Sequence, residues 1–347
     1  MKGLVYHGPG EKSWENVPDP SIVNDTDALV RIDSTTICGT DLHVLKGDVE
    51  TAEPGRVLGH EAVGTIVEVG AGTRTVKEGD RVMLACISAC GRCRYCRVGN
   101  FGQCEHEEGG WVLGNTVDGL QAEYARIPFA DNSVHSVPDS LTDEQVIYLT
   151  DILSTGMEVG VLKGNVQPGD TVAIVGAGPV GLSTVLTARL YSPASIVAID
   201  LSEARQEFAR QFGADEAIGP DEAMSRIAEL TDGLGADVAI EAVGVPETLQ
   251  LCTELVRPGG RVANIGVHGR PVELHFETLW YKGITITTGI PDTRVIPQLL
   301  KAIQAGTLDP TPFTTHRYAL DEMMEAYDTF ERSAETNALK MVLAPGS

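Results

Sequence analysis

The chain has 347 residues, 42% of them hydrophobic, and a formal net charge of −23. A chain of this length exceeds what one simple core supports, so we expect two domains. The acidic balance argues against nucleic acid as a partner, because phosphate binding needs clustered lysine and arginine. No apolar run is long enough for a membrane span, and the first residues, MKGLVYHGPG, lack the apolar segment of a signal peptide. We therefore expect a cytoplasmic protein that does not bind membranes.

The first 150 residues are rich in glycine, proline and short β-like runs such as ALVRIDSTTI, AVGTIVEVG and AEYARIP. Turn signals such as GPG, PDP and EGD separate these runs. This pattern predicts a β-rich domain with few helices.

From residue 154 to 289 strands alternate with helices. The predicted strands are short runs rich in β-branched residues, at 171–175, 195–200, 216–218, 237–241, 261–265 and 284–288. The predicted helices lie at 180–191, 202–212, 222–231 and 246–256. This alternation indicates an α/β fold with a doubly wound parallel sheet.

After residue 290 we expect a helix over 295–305, a strand at HRYAL, a helix over 321–331 and a strand at KMVLA. We expect this tail to return to the first domain. Residues 1–153 and 290–347 would then form one domain, and residues 154–289 the other.

A glycine-rich turn follows the strand TVAIV. Gly176, Gly178 and Gly181 have G-x-G-x-x-G spacing, and Asp200 ends the next strand, 19 residues after Gly181. In this order the glycines allow a tight turn, close approach of a pyrophosphate and close helix packing, with the helix N-terminus facing the anion. A carboxylate at Asp200 can accept hydrogen bonds from a ribose 2′-hydroxyl and would repel a 2′-phosphate, which predicts NAD over NADP. Arg205 could contact the same ribose, or a phosphate, which would make the preference mixed.

Four of the seven cysteines lie in the loop ACGRCRYCRVGNFGQC, at Cys90, Cys93, Cys96 and Cys104. Four thiolates at this spacing can complete a tetrahedral shell around Zn²⁺, and such a closed shell is typical of a structural site. An iron–sulfur cluster is the competing interpretation, because thiolates also hold those clusters. Disulfides are less expected in a reducing compartment.

A second group of metal-ligand residue types is spread along the chain: Cys38, His60, Glu61 and Asp151. A thiolate, an imidazole and a carboxylate make a three-ligand set that leaves a fourth position for water or substrate, as catalytic zinc sites do. Any one of these residues could equally be a structural side chain, and spacing alone does not show that they meet.

These motifs occur together in the zinc-dependent medium-chain alcohol dehydrogenases, and the chain resembles that family over essentially its whole length. The resemblance rests on Gly59-His60-Glu61, Cys38-Gly39-Thr40-Asp41, the four-cysteine loop and the glycine turn, in the family's order. It implies a GroES-like catalytic domain split in sequence around a Rossmann NAD-binding domain. It also implies two zinc ions per subunit, and a homo-oligomer that we expect to be a tetramer.

The resemblance implies a role for each matching residue. Cys38, His60 and Asp151 would bind the catalytic zinc, with Glu61 beside it and Asp41 on the far nitrogen of His60. Thr40 would contact the substrate oxygen, and His43 would end a proton relay. Trp111 and Ile290 would line the substrate pocket, although ordinary core packing explains either equally well. The expected cofactor contacts are Gly176, Gly178, Pro179, Val180, Gly181, Asp200, Arg205, Thr155, Val243, Gly266 and Val267.

The aspartate at 151 is typical of the bacterial secondary-alcohol branch, although several members of that branch lack the four cysteines. We therefore expect an NAD-dependent enzyme acting reversibly on primary or, preferentially, secondary alcohols and the matching aldehydes and ketones. A polyol or amino-alcohol dehydrogenase of sorbitol, butanediol or threonine type is the alternative within the superfamily. A non-catalytic zinc and nucleotide-binding module is the alternative from another class.

Overall fold

The computed structural model describes residues 1–346, which divide into two compact units. Unit 1 comprises Met1–Asp151 and Pro291–Ser347, and unit 2 comprises Ile152–Ile290. The strands, numbered in chain order, are β1 Lys2–Gly8, β2 Glu11–Asn16, β3 Ala28–Thr36, β4 Ala62–Val69, β5 Arg81–Leu84, β6 Tyr124–Ile127, β7 Val134–Ser136, β8 Thr171–Val175, β9 Ser195–Ile199, β10 Glu216–Ile218, β11 Ala236–Glu241, β12 Val256–Asn264, β13 Thr285–Thr288, β14 Thr314–Ala319 and β15 Lys340–Ala344.

Most helices are short. The α-helices are α1 Gly39–Lys46, α2 Arg94–Arg97, α3 Ala130–Ser133, α4 Asp143–Val146, α5 Ile152–Thr155, α6 Pro179–Ala188, α7 Glu203–Gln211, α8 Pro220–Leu230, α9 Pro246–Leu255, α10 Phe276–Leu279, α11 Ile296–Gln304, α12 Met323–Glu331 and α13 Ser333–Thr336. Single 3₁₀ turns cover Phe101–Gln103, Ile147–Thr150, Arg189–Tyr191, Thr311–Phe313 and Leu320–Glu322, and a π-helix covers Gly156–Leu162. Within residues 1–346, no helix combines the length and apolar character needed to cross a bilayer.

Unit 1 is built on a seven-stranded sheet in the order β14-β15-β3-β4-β5-β7, with β6 paired to β3. Strand β15 pairs antiparallel with β3, so a segment late in the chain joins the sheet formed by strands of the first 136 residues. Apolar residues of β3, β4 and β5 form one core, and helix α12 packs over a second core with Leu4, Leu58 and Met341.

Unit 2 contains a six-stranded parallel sheet in the order β10-β9-β8-β11-β12-β13. In this doubly wound order, β8 is the first of the six strands in the chain and lies in the middle of the sheet. The chain adds β9 and β10 on one side of β8 and then returns to add β11, β12 and β13 on the other side. The predicted α/β fold with a doubly wound parallel sheet is confirmed. Strand β8 is buried along its whole length, as expected for a central strand covered on both faces.

The largest departure from the predicted elements lies just before this sheet. Residues 152–162 form α5 and the π-helix, whereas no helix was predicted there. Gly156 and Gly160 lower the helix propensity of this stretch, so its sequence does not predict a helix. A Cβ at Gly156 would lie 2.4 Å from Ser183 Oγ, so the glycine is explained by close packing against α6.

Candidate functional site

Four predicted metal ligands converge in unit 1. Cys38 precedes α1, His60 and Glu61 precede β4, and Asp151 follows the 3₁₀ turn Ile147–Thr150. All four are buried, and one donor atom from each lies within 4.8 Å of the others. Cys38 and Asp151, which are 113 positions apart in the sequence, thus meet because the sheet brings the ends of β3, β4 and β5 together.

The distances within this donor set are short. Asp151 Oδ2 is 3.4 Å from Cys38 Sγ and 3.5 Å from His60 Nε2. Burial and the charges of Asp151 and Glu61 raise the pKa of the Cys38 thiol. Burial opposes protonation of His60, but the charge of Asp41 and hydrogen bonds to Asp151 and Asp41 outweigh it and raise the pKa of His60 well above its usual value. The site therefore favours an added positive charge.

These features fit a divalent zinc ion. A thiolate, an imidazole and a carboxylate are the ligand types of catalytic zinc sites. The buried Glu61 Oε2 has no hydrogen-bond partner among the described residues, and His60 Nδ1 faces Asp41 Oδ1 at 3.5 Å. This leaves Nε2 pointing to the donor set, the orientation predicted for Asp41 and His60.

A buried lysine forms an ion pair with Glu61 of the donor set. Lys340 Nζ in β15 is 2.6 Å from Glu61 Oε1 and donates to the Ile37 carbonyl at 2.8 Å, with both side chains almost inaccessible. Burial raises the pKa of Glu61 from 4.5 to about 7, although Lys340 opposes the shift. Lys340 is too far along the sequence to be found from a local motif.

Asp41 belongs to a buried hydrogen-bond chain. Asp41 Oδ2 accepts from the Cys38 N–H and from Gln121 Nε2, both at 2.9 Å. Gln121 Oε1 in turn accepts from the Tyr327 hydroxyl at 2.7 Å. Gln121 and Tyr327, which no sequence motif marks, thus fix the carboxylate that faces His60.

Of the other predicted residues of unit 1, Thr40 and Trp111 contact members of this set, whereas His43 pairs with Asp48. Thr40 Oγ1 is 3.6 Å from Cys38 Sγ, and His43 Nδ1 is 2.8 Å from Asp48 Oδ2. The Trp111 ring meets the His60 ring edge-on, with centroids 5.9 Å apart. Ile290, at the end of unit 2, is 37% exposed, so it is not a core residue of that unit.

The four-cysteine loop forms a second donor cluster. Sulfurs of Cys90, Cys93, Cys96 and Cys104 lie within 4.8 Å of one another. Backbone N–H groups of Cys96 and Glu105 lower the pKa of Cys93 to about 6 from an ordinary 9.0, whereas burial raises the pKa of Cys96 and of Cys104. The cluster fits a tetrahedral ion with no open position.

The glycine turn has the geometry expected for a dinucleotide. Gly176 has φ +103°, and a Cβ at Gly181 would lie 1.9 Å from the Gly176 carbonyl oxygen. A Cβ at Gly178 would meet nothing within 4 Å, so this glycine borders open space in front of α6, which Pro179 and Val180 begin. The turn therefore leaves room for a pyrophosphate at the helix N-terminus.

Asp200 also supports this turn. Its Oδ2 accepts from the Ala177 N–H at 2.8 Å and its Oδ1 from the Ser202 N–H at 2.9 Å. Burial lowers the pKa of Arg205, and the charge of Asp200 opposes that shift. The carboxylate thus holds the turn, a role that the pattern alone did not predict.

Buried Glu241 fixes the loop that carries Val243 and Gly244, near several of the expected cofactor contacts. Its Oε1 accepts from the backbone N–H groups of Val243 and Gly244, each at 2.8 Å. Val243 and Val267 are 44% and 40% exposed, and Gly266 packs tightly, since a Cβ there would lie 2.2 Å from Gly244 N. Thr155, at the end of α5, is partly exposed. No sequence motif marks Glu241.

Comparisons with known proteins agree with this geometry. The family described as "Alcohol dehydrogenase GroES-like domain" matches residues 24–139, and the family described as "Zinc-binding dehydrogenase" matches residues 179–305. A solved structure of zinc dependent alcohol dehydrogenase 2 from Streptococcus pneumonia, in its apo form, is 46% identical with a TM-score of 0.96, covering 100% of this chain and 99% of that one.

Two curated relatives span the whole chain. An alcohol dehydrogenase from Cupriavidus necator is 34% identical over 99% of both chains. An L-threonine 3-dehydrogenase from Bacillus licheniformis is 31% identical over 99% of both chains. From its two matched domains and its full-length relatives, we conclude that the chain belongs to the zinc-dependent medium-chain alcohol dehydrogenases.

Proposed function

We propose that this chain reversibly oxidises an alcohol with NAD at a zinc ion held by Cys38, His60 and Asp151. The observation that carries the proposal is the buried donor set, whose four donor atoms lie within 4.8 Å of one another and whose surroundings favour positive charge. Bound there, zinc would act as a Lewis acid on the alcohol oxygen while NAD accepts the hydride.

The chain's own side chains would move the proton. The Thr40 hydroxyl, beside Cys38, can accept a hydrogen bond from the substrate hydroxyl and pass its own proton outward. His43 would be the outer acceptor. Its Nδ1–H donates to Asp48 Oδ2 at 2.8 Å, which fixes the ring and leaves Nε2 as the atom that takes the proton.

Unit 2 would hold NAD at the glycine turn, with Asp200 favouring NAD over NADP. The open space in front of Gly178 supports binding of the pyrophosphate at the N-terminus of α6. The exposed Val243 and Val267 would supply an apolar surface for the nicotinamide end of the cofactor. Residues 154–289 would thus be the cofactor domain, and residues 1–153 and 290–347 the catalytic domain.

The proposed substrate is a small secondary alcohol or its ketone. The Trp111 ring beside His60 supports this, because it puts a large apolar side chain next to the donor set. A polyol or amino-alcohol substrate is the second candidate, favoured by the threonine dehydrogenase among the full-length relatives. Rates on 2-butanol, 2,3-butanediol and threonine would separate the two.

The four-cysteine cluster would bind a second, structural zinc ion, and its thiolates suit the reducing conditions of the cytoplasm.

We also propose that the enzyme is a homotetramer in which β13, the last strand of its sheet, pairs with a second copy. The exposed Phe276, Trp280 and Tyr281, which precede β13, support this surface. Analytical ultracentrifugation should give a tetramer, and a monomer would contradict the proposal.

The direct test is NAD-dependent oxidation of 2-butanol before and after removal of zinc by a chelator. We expect the rate to be lost on chelation and to return when Zn²⁺ is added back. Turnover that survives complete zinc removal would contradict the proposed chemistry. Cofactor binding without turnover on any alcohol would instead indicate the non-catalytic alternative.

A further inference from the structure

We propose that Cys86 is a positioning residue that holds Asp151 so that only one of its carboxylate oxygens faces the catalytic zinc site. This inference rests on the proposed function, because it takes Asp151 to be a zinc ligand. Cys86 belongs to neither predicted metal group, and from sequence it is interpreted as a small core residue.

Cys86 contacts the segment that carries Asp151 at two points. It lies two residues beyond the end of β5 and is 2% exposed. Its backbone N–H donates to the Thr150 carbonyl at 2.9 Å, and its thiol donates to Asp151 Oδ1 at 3.6 Å. The main chain and the side chain of Cys86 thus each hold one residue of the segment Thr150–Asp151.

The two oxygens of Asp151 have different surroundings. Oδ2 faces the donor set, at 3.4 Å from Cys38 Sγ and 3.5 Å from His60 Nε2, whereas Oδ1 faces Cys86. A carboxylate can bind a metal through one oxygen or both. A hydrogen bond to Oδ1 favours binding through Oδ2 alone, which leaves the fourth position of a tetrahedral zinc ion open.

A thiol suits this task in a dry site. It is a weak donor that carries no charge, so it orients the carboxylate without competing with the metal as a cation would. Cys252 provides the contrast within the same chain. It is fully buried in the apolar cluster of unit 2 with Leu249, Leu255 and Val262, where its role is to fill space.

The test uses Cys86→Ala, Cys86→Val and Cys86→Ser, with Cys252→Ala as the matched control. Alanine removes the donor and the volume, valine keeps an apolar side chain, and serine keeps a donor. The zinc affinity of the intact protein is measured by competition with a chelator, and the His60→Ala variant identifies which zinc step belongs to this site. Visible absorption of the Co²⁺-substituted protein reports the coordination number.

We expect Cys86→Ala and Cys86→Val to lower zinc affinity about 10-fold, the lower end of the range for outer-shell partners of metal ligands. Cys86→Ser should stay within about threefold of the wild type, and Cys252→Ala should leave zinc affinity unchanged. In the alanine and valine variants the Co²⁺ absorption should weaken, as expected when both Asp151 oxygens bind and the coordination number rises.

The inference is overturned if Cys86→Val binds zinc as well as Cys86→Ser or better, because packing would then explain the contact. It is also overturned if all three variants bind zinc like the wild type. If Cys86→Ala does not fold, the comparison of valine with serine decides the question. If His60→Ala and Asp151→Ala both keep full zinc, the proposed zinc site itself fails, which is a separate result.

Discussion

Replacing Lys340 by methionine removes the one side chain that forms an ion pair with the buried Glu61 carboxylate within residues 1–346. The two side chains are 1% exposed, and Nζ lies 2.6 Å from Oε1. At this distance the Coulomb attraction is about 6 kcal/mol for an effective dielectric constant of about 20. Because desolvation offsets part of that gain, we expect Lys340→Met to lower the free energy of unfolding by about 3–5 kcal/mol.

The matched control is the pair between Arg226 and Glu216, which has the same 2.6 Å separation but side chains that are 37% and 27% exposed. Arg226→Met should cost at most about 1 kcal/mol, because solvent screens the pair. The assay is urea unfolding of the metal-free protein, followed by tryptophan fluorescence, which reports on both units because Trp14 and Trp111 lie in unit 1 and Trp280 lies in unit 2. Adding Glu61→Gln to Lys340→Met should recover part of the loss.

Equal, small effects of Lys340→Met and Arg226→Met would refute this reasoning. A loss below about 1 kcal/mol for Lys340→Met would mean that Glu61 is neutral or hydrated in the folded protein. A large loss that Glu61→Gln does not relieve would show that Lys340 acts through its packing or its bond to the Ile37 carbonyl.

Four further predictions concern other parts of the molecule. Gly181→Ala should destabilise the protein by about 1–3 kcal/mol in urea unfolding, because its Cβ would lie 1.9 Å from a backbone oxygen. Gly178→Ala should keep stability but weaken NAD binding in a titration; equal stability of both variants would contradict this. Asp200→Gly should lower the ratio of kcat/KM for NAD over NADP, and an unchanged ratio would remove Asp200 from cofactor choice. Burial holds the pKa of His135 at about 4 instead of 6.5, so between these pH values only the unfolded chain takes up this proton. The free energy of unfolding should therefore fall by up to about 3 kcal/mol as pH drops from 6.5 to 4, and His135→Gln should lose that part of the pH dependence in urea unfolding. An identical pH dependence in the variant would contradict the assignment.

Sequence reasoning worked best where local pattern and chemistry coincide. The β-branched runs and the G-x-G-x-x-G spacing predicted the parallel sheet, because buried strands and a tight turn impose those residue types directly. Cys38 and Asp151 could be named as ligands, but only the folded sheet brings them to 3.4 Å from each other. Their roles remain part of the proposal.

Residues that act through long-range contacts escaped prediction. Lys340 reaches Glu61 across 279 positions, and Tyr327 reaches Gln121 across 206. Buried polar groups need partners, but no local spacing encodes which distant residue supplies them. The π-helix at Gly156–Leu162 was missed for another reason, since its glycines are explained by packing against α6 and weaken the helical signal.

Zinc content measured together with turnover tests the central claim most directly. We expect the wild-type chain to bind two zinc ions and to oxidise 2-butanol with NAD. His60→Ala should bind one zinc ion, keep the four-cysteine site and lose turnover by at least about a thousandfold, since the Lewis acid is then missing. If His60→Ala retains both zinc ions, or retains turnover with one, the proposed catalytic site is wrong.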